Sequence, residues 1–218
     1  MSTDNLLIRL ARLDTCAVSD AMDRHGLTGV AAGIRPLTTT DRVAGRVVTV
    51  KLKVKGNEES TRHLGTAAIE AASSGDVIVV DHQGREDAAG WGGILSTAAQ
   101  HRGVAGVIVD GACRDVDEAR GLGFPVFATA ATPRTARGRA VEESFNEPVS
   151  IRGIPVHPGD LVLADGTGVV FVPAAEAETV ITTAEGIAAR EAEMTKAVLA
   201  GHPVSQVMGR NYETMTAR

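Results

Sequence analysis

The fold is decided by residues 75–128, GDVIVVDHQGREDAAGWGGILSTAAQHRGVAGVIVDGACRDVDEARGLGFPVFA. Three short runs in it, residues 76–81, 106–110 and 125–128, are rich in Val, Ile and Phe and are bounded by Gly, Pro and Asp. Runs of that length and composition read as buried strands. HQGREDAAGWGG, residues 82–93, reads as a loop by composition, and Ile94, Leu95, Ala98 and Ala99 then trace one helical stripe. Asp115 starts a second helix, which Gly121 and Gly123 end. The order strand–helix–strand–helix–strand predicts parallel pairing with right-handed crossovers, hence an α/β protein.

Upstream, Leu6, Leu7, Leu10 and Leu13 recur at helical spacing. Asp14 or Thr15 is placed to cap a second helix through Ala17, Val18, Ala21 and Met22, closed by Gly26. GRVVTVKLKV, residues 45–54, reads as a strand, and residues 61–73 as a helix. Downstream, residues 149–151, 154–156, 161–164 and 169–172 are short strands separated by Gly, Pro and Asp, the pattern of hairpins. Residues 174 to about 200 form one long helix. The chain shows no repeat, low-complexity tract or linker, so residues 1–218 are expected to form a single domain.

Composition narrows the function. Hydrophobic residues make up 44% of the 218 and aromatics 3%, so the core must be built from Ala, Val, Ile and Leu. A net charge of −5 argues against general nucleic-acid binding, which needs a basic face. Cys16 and Cys113 make no disulfide framework and suit a reducing cytoplasm. The N-terminus lacks the basic start and long apolar run of a signal peptide, and no uncharged stretch approaches the roughly 18 residues of a membrane span. The expectation is a cytoplasmic protein with neither membrane nor nucleic acid as partner.

Chemistry concentrates in Trp91-Gly92-Gly93-Ile94-Leu95 and Arg114-Asp115. Both lie where a strand or loop hands over to a helix, and ligands of open α/β sheets collect beyond the carboxyl ends of the strands. Gly92 and Gly93 allow close backbone approach at a helix start whose first amides lack partners, which suits a carboxylate. Taken alone, the pair is more simply read as a plain glycine turn starting a helix. Arg114 offers a planar fork for a carboxylate or enolate, and Asp115 offers hard oxygens for Mg²⁺ or Mn²⁺. An N-cap Asp beside a surface Arg is the alternative.

Several other features carry less. The six histidines show no i,i+4 ligand pair, which argues against zinc. Asp81 and His82 sit near the proposed site, but a loop His is commonly just solvated. Gly166-Thr167-Gly168 precedes a strand, so it is no dinucleotide fingerprint. Arg134, Arg137 and Arg139 form either a second anion grip or a solvated loop. The lysines at 51, 53, 55 and 196 are remote from the motif in sequence, which makes a Schiff-base aldolase the less economical reading.

Residues 90–128 resemble the core of the 4-hydroxy-4-methyl-2-oxoglutarate aldolase family, whose fold is shared with the regulator of ribonuclease activity A. The family's pattern is Gly, twenty residues, Arg-Asp, two residues and an acid. Gly93, Arg114-Asp115 and Glu118 fit it completely. Weaker resemblance extends over CAVSDAMDRHGLTGV, SGDVIVVD and HPGDLVLADGTGVVFVP. The resemblance implies a layered β/α sandwich like that of swivelling phosphohistidine domains, with a central parallel βαβαβ unit and a long C-terminal helix. It implies substrate binding by Gly92, Gly93, Ile94, Leu95 and Arg114, catalysis by Arg114 and Asp115, and a divalent Mg²⁺ or Mn²⁺ on Asp115. Glu118 would support the metal's water shell or orient Arg114.

In the long helix Glu191 falls on the apolar stripe of Val180, Ile181, Ala184, Ile187, Ala188, Thr195 and Val198, where a lone charge needs a partner. The resemblance implies a homotrimer or hexamer in which such a glutamate reaches the neighbouring subunit's metal waters; pairing with Arg190 or Lys196 is the alternative. The implied activity is metal-dependent cleavage of 4-hydroxy-2-oxo acids to pyruvate and a carbonyl product, with oxaloacetate decarboxylation on the side. A non-catalytic regulator of ribonuclease machinery and a dedicated oxaloacetate decarboxylase are the alternatives.

Overall fold

The computed structural model describes residues 3–57 and 62–209. Helices α1 (Thr3–Leu10) and α2 (Thr15–Arg24) precede the short β1 (Arg35–Pro36) and the long β2 (Val43–Val54). The central unit follows: α3 (Thr66–Ala71), β3 (Val77–Ala89), α4 (Gly93–Arg102), β4 (Gly106–Cys113), α5 (Val116–Leu122) and β5 (Val126–Ala131). Then come β6 (Ala140–Phe145), the hairpin of β7 (Val149–Ile151) and β8 (Ile154–Val156), the hairpin of β9 (Leu161–Ala164) and β10 (Val169–Val172), the long α6 (Ala177–Leu199) and the short α7 (Val204–Val207).

One mixed sheet runs β1-β5-β4-β3-β2-β9-β10, with β6 on the far half of β2. The expected parallel pairing is present: Val47 lies opposite Val77, Val77 opposite Gly106, and Val107 opposite Val126. Strand β4 is buried at every residue, because a central parallel strand is covered on both faces. On one face Ile78, Val80, Val107 and Val109 pack under α3, α4 and α5 with Ile69, Leu95 and Phe124. On the other, Val77, Val79, Ile108 and Phe127 meet Ile151 and Val156 of the β7–β8 hairpin. A separate layer of α1, α2 and α6 closes over β9 and β10, with Leu10, Met22, Val180 and Ile181 against Leu161, Leu163, Val170 and Val172.

Local signals explain the ends of α2. The Asp14 carboxylate accepts the Ala17 amide at 2.8 Å, and the helix stops at His25 before Gly26, whose φ is +67°.

Several expectations are corrected. The predicted loop 82–93 is largely strand, because β3 continues to Ala89. Its ladder to β4 breaks after Asp81 and resumes at Arg85 opposite Gly111, and Gln83 and Gly84 both have positive φ in the break. The helix expected over 61–73 is α3, shorter at both ends, and residue 61 lies outside the described residues. The stripe of α4 is Leu95, Ser96 and Ala99, whereas Ile94 is 84% exposed. Strand β6 was not anticipated. It pairs with β2 directly after the arginine-rich loop.

Candidate active site

The chain enters α4 and α5 through two turns that touch each other. In the first, Gly92 is extended and acts as the N-cap of α4 without a side-chain cap. The turn is held from inside: Trp91 is buried, its Nε1 donates to Ser96 Oγ at 3.0 Å, and Ser96 Oγ donates to the Gly92 carbonyl at 3.2 Å. In the second, Asp115 caps α5 in the left-handed region at φ +57°. Asp tolerates that conformation better than most residues, and such outliers collect at functional sites.

Two bonds join the turns, and a third braces the second turn within itself. The Arg114 amide donates to the Trp91 carbonyl at 3.0 Å, the Gly93 amide to Asp115 Oδ2 at 2.9 Å, and Arg114 Nε to the same oxygen at 3.0 Å. Asp115 Oδ1 and the two terminal nitrogens of Arg114 carry no bond among the described residues, and both side chains are about one third exposed. The Gly93 amide, then Arg114, hold the Asp115 carboxyl below the ordinary carboxylate range. The Ile94 and Leu95 amides follow in the uncapped first turn, at the positive end of the helix dipole.

Both glycines permit close contact. A Cβ on Gly92 would sit 3.0 Å from Asp115 Oδ2 and 3.2 Å from Arg114 Cγ, and one on Gly93 would overlap the Glu118 carboxylate. Glu118 therefore lies against the start of α4, and it forms no hydrogen bond among the described residues.

His82, weighed in the sequence only as a solvated loop residue, is buried beneath these turns. Its Nε2–H donates to the Ala88 carbonyl at 2.8 Å, and Nδ1 has no partner among the described residues. Its ring fills space left open by Gly90 and Gly111, since a Cβ at either would come within 3.0 Å of the ring. Burial pushes its pKa down. The two glycines flanking it are the signal that could have located it. Asp81 and Asp110 pair across β3 and β4 on the other face; burial raises Asp81, and Asp110 Oδ2 accepts the Arg152 amide at 2.8 Å.

Glu191 is not brought to this site within one chain. It is half-buried on α6, and its carboxyl is pushed up by burial, then by Asp14 and Asp20. Lys196 pairs instead with Glu193 at 2.6 Å. In the arginine-rich loop, the Arg134 carbonyl accepts the Ala89 amide at 3.0 Å, and the Thr132 amide donates to the Cys113 carbonyl at 2.9 Å, so the loop flanks the site. Arg139 bonds to the Thr135 and Arg137 carbonyls. Cys113 is buried, and its thiol is raised to about 11. No group of three or more His, Cys, Asp or Glu among the described residues is arranged to hold a metal, and no helix among them is long and apolar enough to cross a membrane.

The chain is similar to known proteins along most of its length. It is 33% identical over 181 residues to a Halalkalibacterium halodurans protein named "Putative 4-hydroxy-4-methyl-2-oxoglutarate aldolase", covering 83% of this chain and 82% of that one. It is 29% identical over 202 residues to protein DlpA of Legionella pneumophila, covering 93% of this chain but spanning only 33% of DlpA. Among solved structures, Streptomyces coelicolor RraAS2, described as an unusual member of the RNase ES inhibitor RraA protein family, superposes with a TM-score of 0.81 at 26% identity, covering 89% of this chain and 97% of that one. The RraA-like family model, described as Aldolase/RraA, matches residues 15–171, a span that holds both turns of the site, and the chain belongs to that family.

Proposed function

We propose that the protein is a divalent-metal-dependent aldolase that cleaves 4-hydroxy-2-oxo acids, such as 4-hydroxy-4-methyl-2-oxoglutarate or 4-carboxy-4-hydroxy-2-oxoadipate, to pyruvate and a carbonyl product. One observation carries the reading. Asp115 commits Oδ2 to the Gly93 amide and Arg114 Nε, while Oδ1 is left uncommitted on an ionised, partly exposed carboxylate. A lone hard oxygen suits Mg²⁺ or Mn²⁺, which keep most of their waters and bind through one or two carboxylates. When bound, the ion supplies Lewis-acid stabilisation of a developing enolate.

The remaining work falls to the chain's own groups. The Ile94 and Leu95 amides receive the substrate carboxylate at the helix start. The free terminal nitrogens of Arg114 face the C2 oxygen, and their fixed charge meets the negative charge as it builds there. Removal of the C4 hydroxyl proton and rupture of C3–C4 release the carbonyl product, and protonation of the enolate at C3 gives pyruvate. Oxaloacetate loses CO₂ through the same enolate, so it is expected as a second substrate.

In this reading the protein is a homotrimer or hexamer. Glu191, whose carboxyl is pushed up by burial, then by Asp14 and Asp20, would be the residue offered to a neighbouring subunit's cation, and Glu118 would support that cation's waters from within the subunit.

The test is a coupled pyruvate-release assay over a panel of 2-oxo acids with Mg²⁺, with and without chelator. Activity lost on chelation and restored by Mg²⁺, and absent in Asp115→Ala at any metal concentration, is expected. Turnover retained by Asp115→Ala would remove the metal assignment. A protein silent on every 2-oxo acid would favour a regulator, as RraAS2 is described.

A further inference from the structure

The layer of α1, α2 and α6 holds a feature the aldolase reading does not use. Where α2 ends against the middle of α6, a cavity of about 310 Å³ opens to solvent. Arg24 reaches it from the last turn of α2 and Arg190 from α6, and no acidic side chain lines it. Neither guanidinium has a hydrogen-bond or ion-pair partner among the described residues. Arg9, reaching α6 from α1, behaves differently: Glu178, Glu185 and Thr182 engage it.

The rest of the lining is small, apolar or already engaged, around an open middle. His25 Nε2 lies 2.8 Å from Thr183 Oγ1. Thr182 Oγ1 accepts from Arg9 at 2.8 Å. Gly186 lies between Thr182 and Arg190 on α6, one turn from each, and a Cβ there would meet nothing within 4 Å. Two planar forks on separate helices, facing one cavity, match the paired oxygens of phosphate or carboxylate. The volume is at the lower end for small-molecule sites, which suits a metabolite better than a polymer.

We propose that this groove binds a small dianion, a phosphate ester or a dicarboxylate, held between Arg24 and Arg190. It is distinct from the Arg114–Asp115 turn, which lies over β3 and β4, and it stands whether or not the aldolase reading does.

Titration calorimetry on the full chain at fixed ionic strength tests it, with inorganic phosphate and succinate as separate probes. Saturable binding of at least one, with a dissociation constant of roughly 1 mM or below, is expected. Arg24→Gln/Arg190→Gln should weaken it at least ~10-fold, the effect of losing about one charge-assisted bond. Arg35→Gln/Arg46→Gln, which removes the same charge elsewhere, should leave it unchanged. Gly186→Glu places a carboxylate in the open middle and should abolish binding, independently of how the double variant folds. Phosphate binding alone identifies a phosphate ester, and succinate binding alone a dicarboxylate. The proposal is overturned if neither probe binds saturably, if both double variants weaken binding equally, or if Gly186→Glu binds like the parent.

Discussion

The two halves of the sheet put similar residues to different use. Around β3, β4 and β5, parallel strands end in turns, and those turns hold strained, charged and glycine-only positions: Asp115 in the left-handed region, Gly93 against Glu118, His82 clamped by Gly90 and Gly111. Around β9 and β10, antiparallel strands end in ordinary turns, and α1, α2 and α6 cover them with Leu, Val, Ile and Ala. The first half keeps polar groups uncommitted at its turns, and the second, apart from the surface groove between α2 and α6, buries apolar area. Function and stability should therefore separate on mutation.

The largest effect is expected in the second half. Ile181 is fully buried among α2, β9 and β10, so Ile181→Ala should destabilise the fold by about 2–5 kcal/mol, the usual cost of such a cavity. Denaturant unfolding would report it, and kcat/KM of the remaining folded protein should match the parent. The mirror case is Arg114→Ala. It removes a partly exposed guanidinium from the turn, so activity should fall at least ~100-fold with the unfolding midpoint nearly unchanged. If either variant moved both quantities together, the division between the halves would fail.

A subtler break lies at the seam of the two turns. Gly93→Ala drives a methyl into the Glu118 carboxylate and shifts the amide that holds Asp115. A displacement of about 1 Å at a reacting group costs up to ~100-fold, so a loss of roughly 10- to 100-fold is expected. A double-mutant cycle with Glu118→Ala separates the causes. If the methyl acts only by displacing Glu118, adding it to Glu118→Ala should cost almost nothing further.

The sequence made the apolar elements legible and left the polar ones hidden. The strands around Val79, Val109 and Val126 announced themselves, because a run buried on both faces has no polar positions. Strand β6 did not, because AVEESF carries two glutamates. Their partners explain them: Glu142 accepts the Gly65 amide at 2.7 Å, and Glu143 pairs with Lys51 at 2.9 Å across the ladder. The continuation of β3 was hidden the same way, since HQGREDAA is polar and only the fold shows that His82 points inward. In the site, placement at strand ends and the resemblance to the aldolase family's motif grouped Gly93, Arg114 and Asp115, and they are in contact in the fold. Spacing could not reveal that Ile94 faces solvent while its neighbours Gly93, Leu95 and Ser96 are buried.

The smallest expected effect concerns acid. His82 is buried with its pKa below the ordinary value, so the native state disfavours its proton, whereas the unfolded chain takes one up near pH 6.5. Stability from the neutral ring is complete above that pH and is lost as pH falls toward the native value. The charged ring would need a place for Nδ1–H, which has no partner among the described residues. His82→Gln keeps a side-chain donor for the Ala88 carbonyl and cannot titrate. The unfolding midpoint of the parent should therefore drop between pH 7.5 and 5.5 by more than that of His82→Gln, while Ile181→Ala keeps the parental slope. Equal slopes in parent and His82→Gln would place the acid sensitivity elsewhere and leave the buried ring as packing alone.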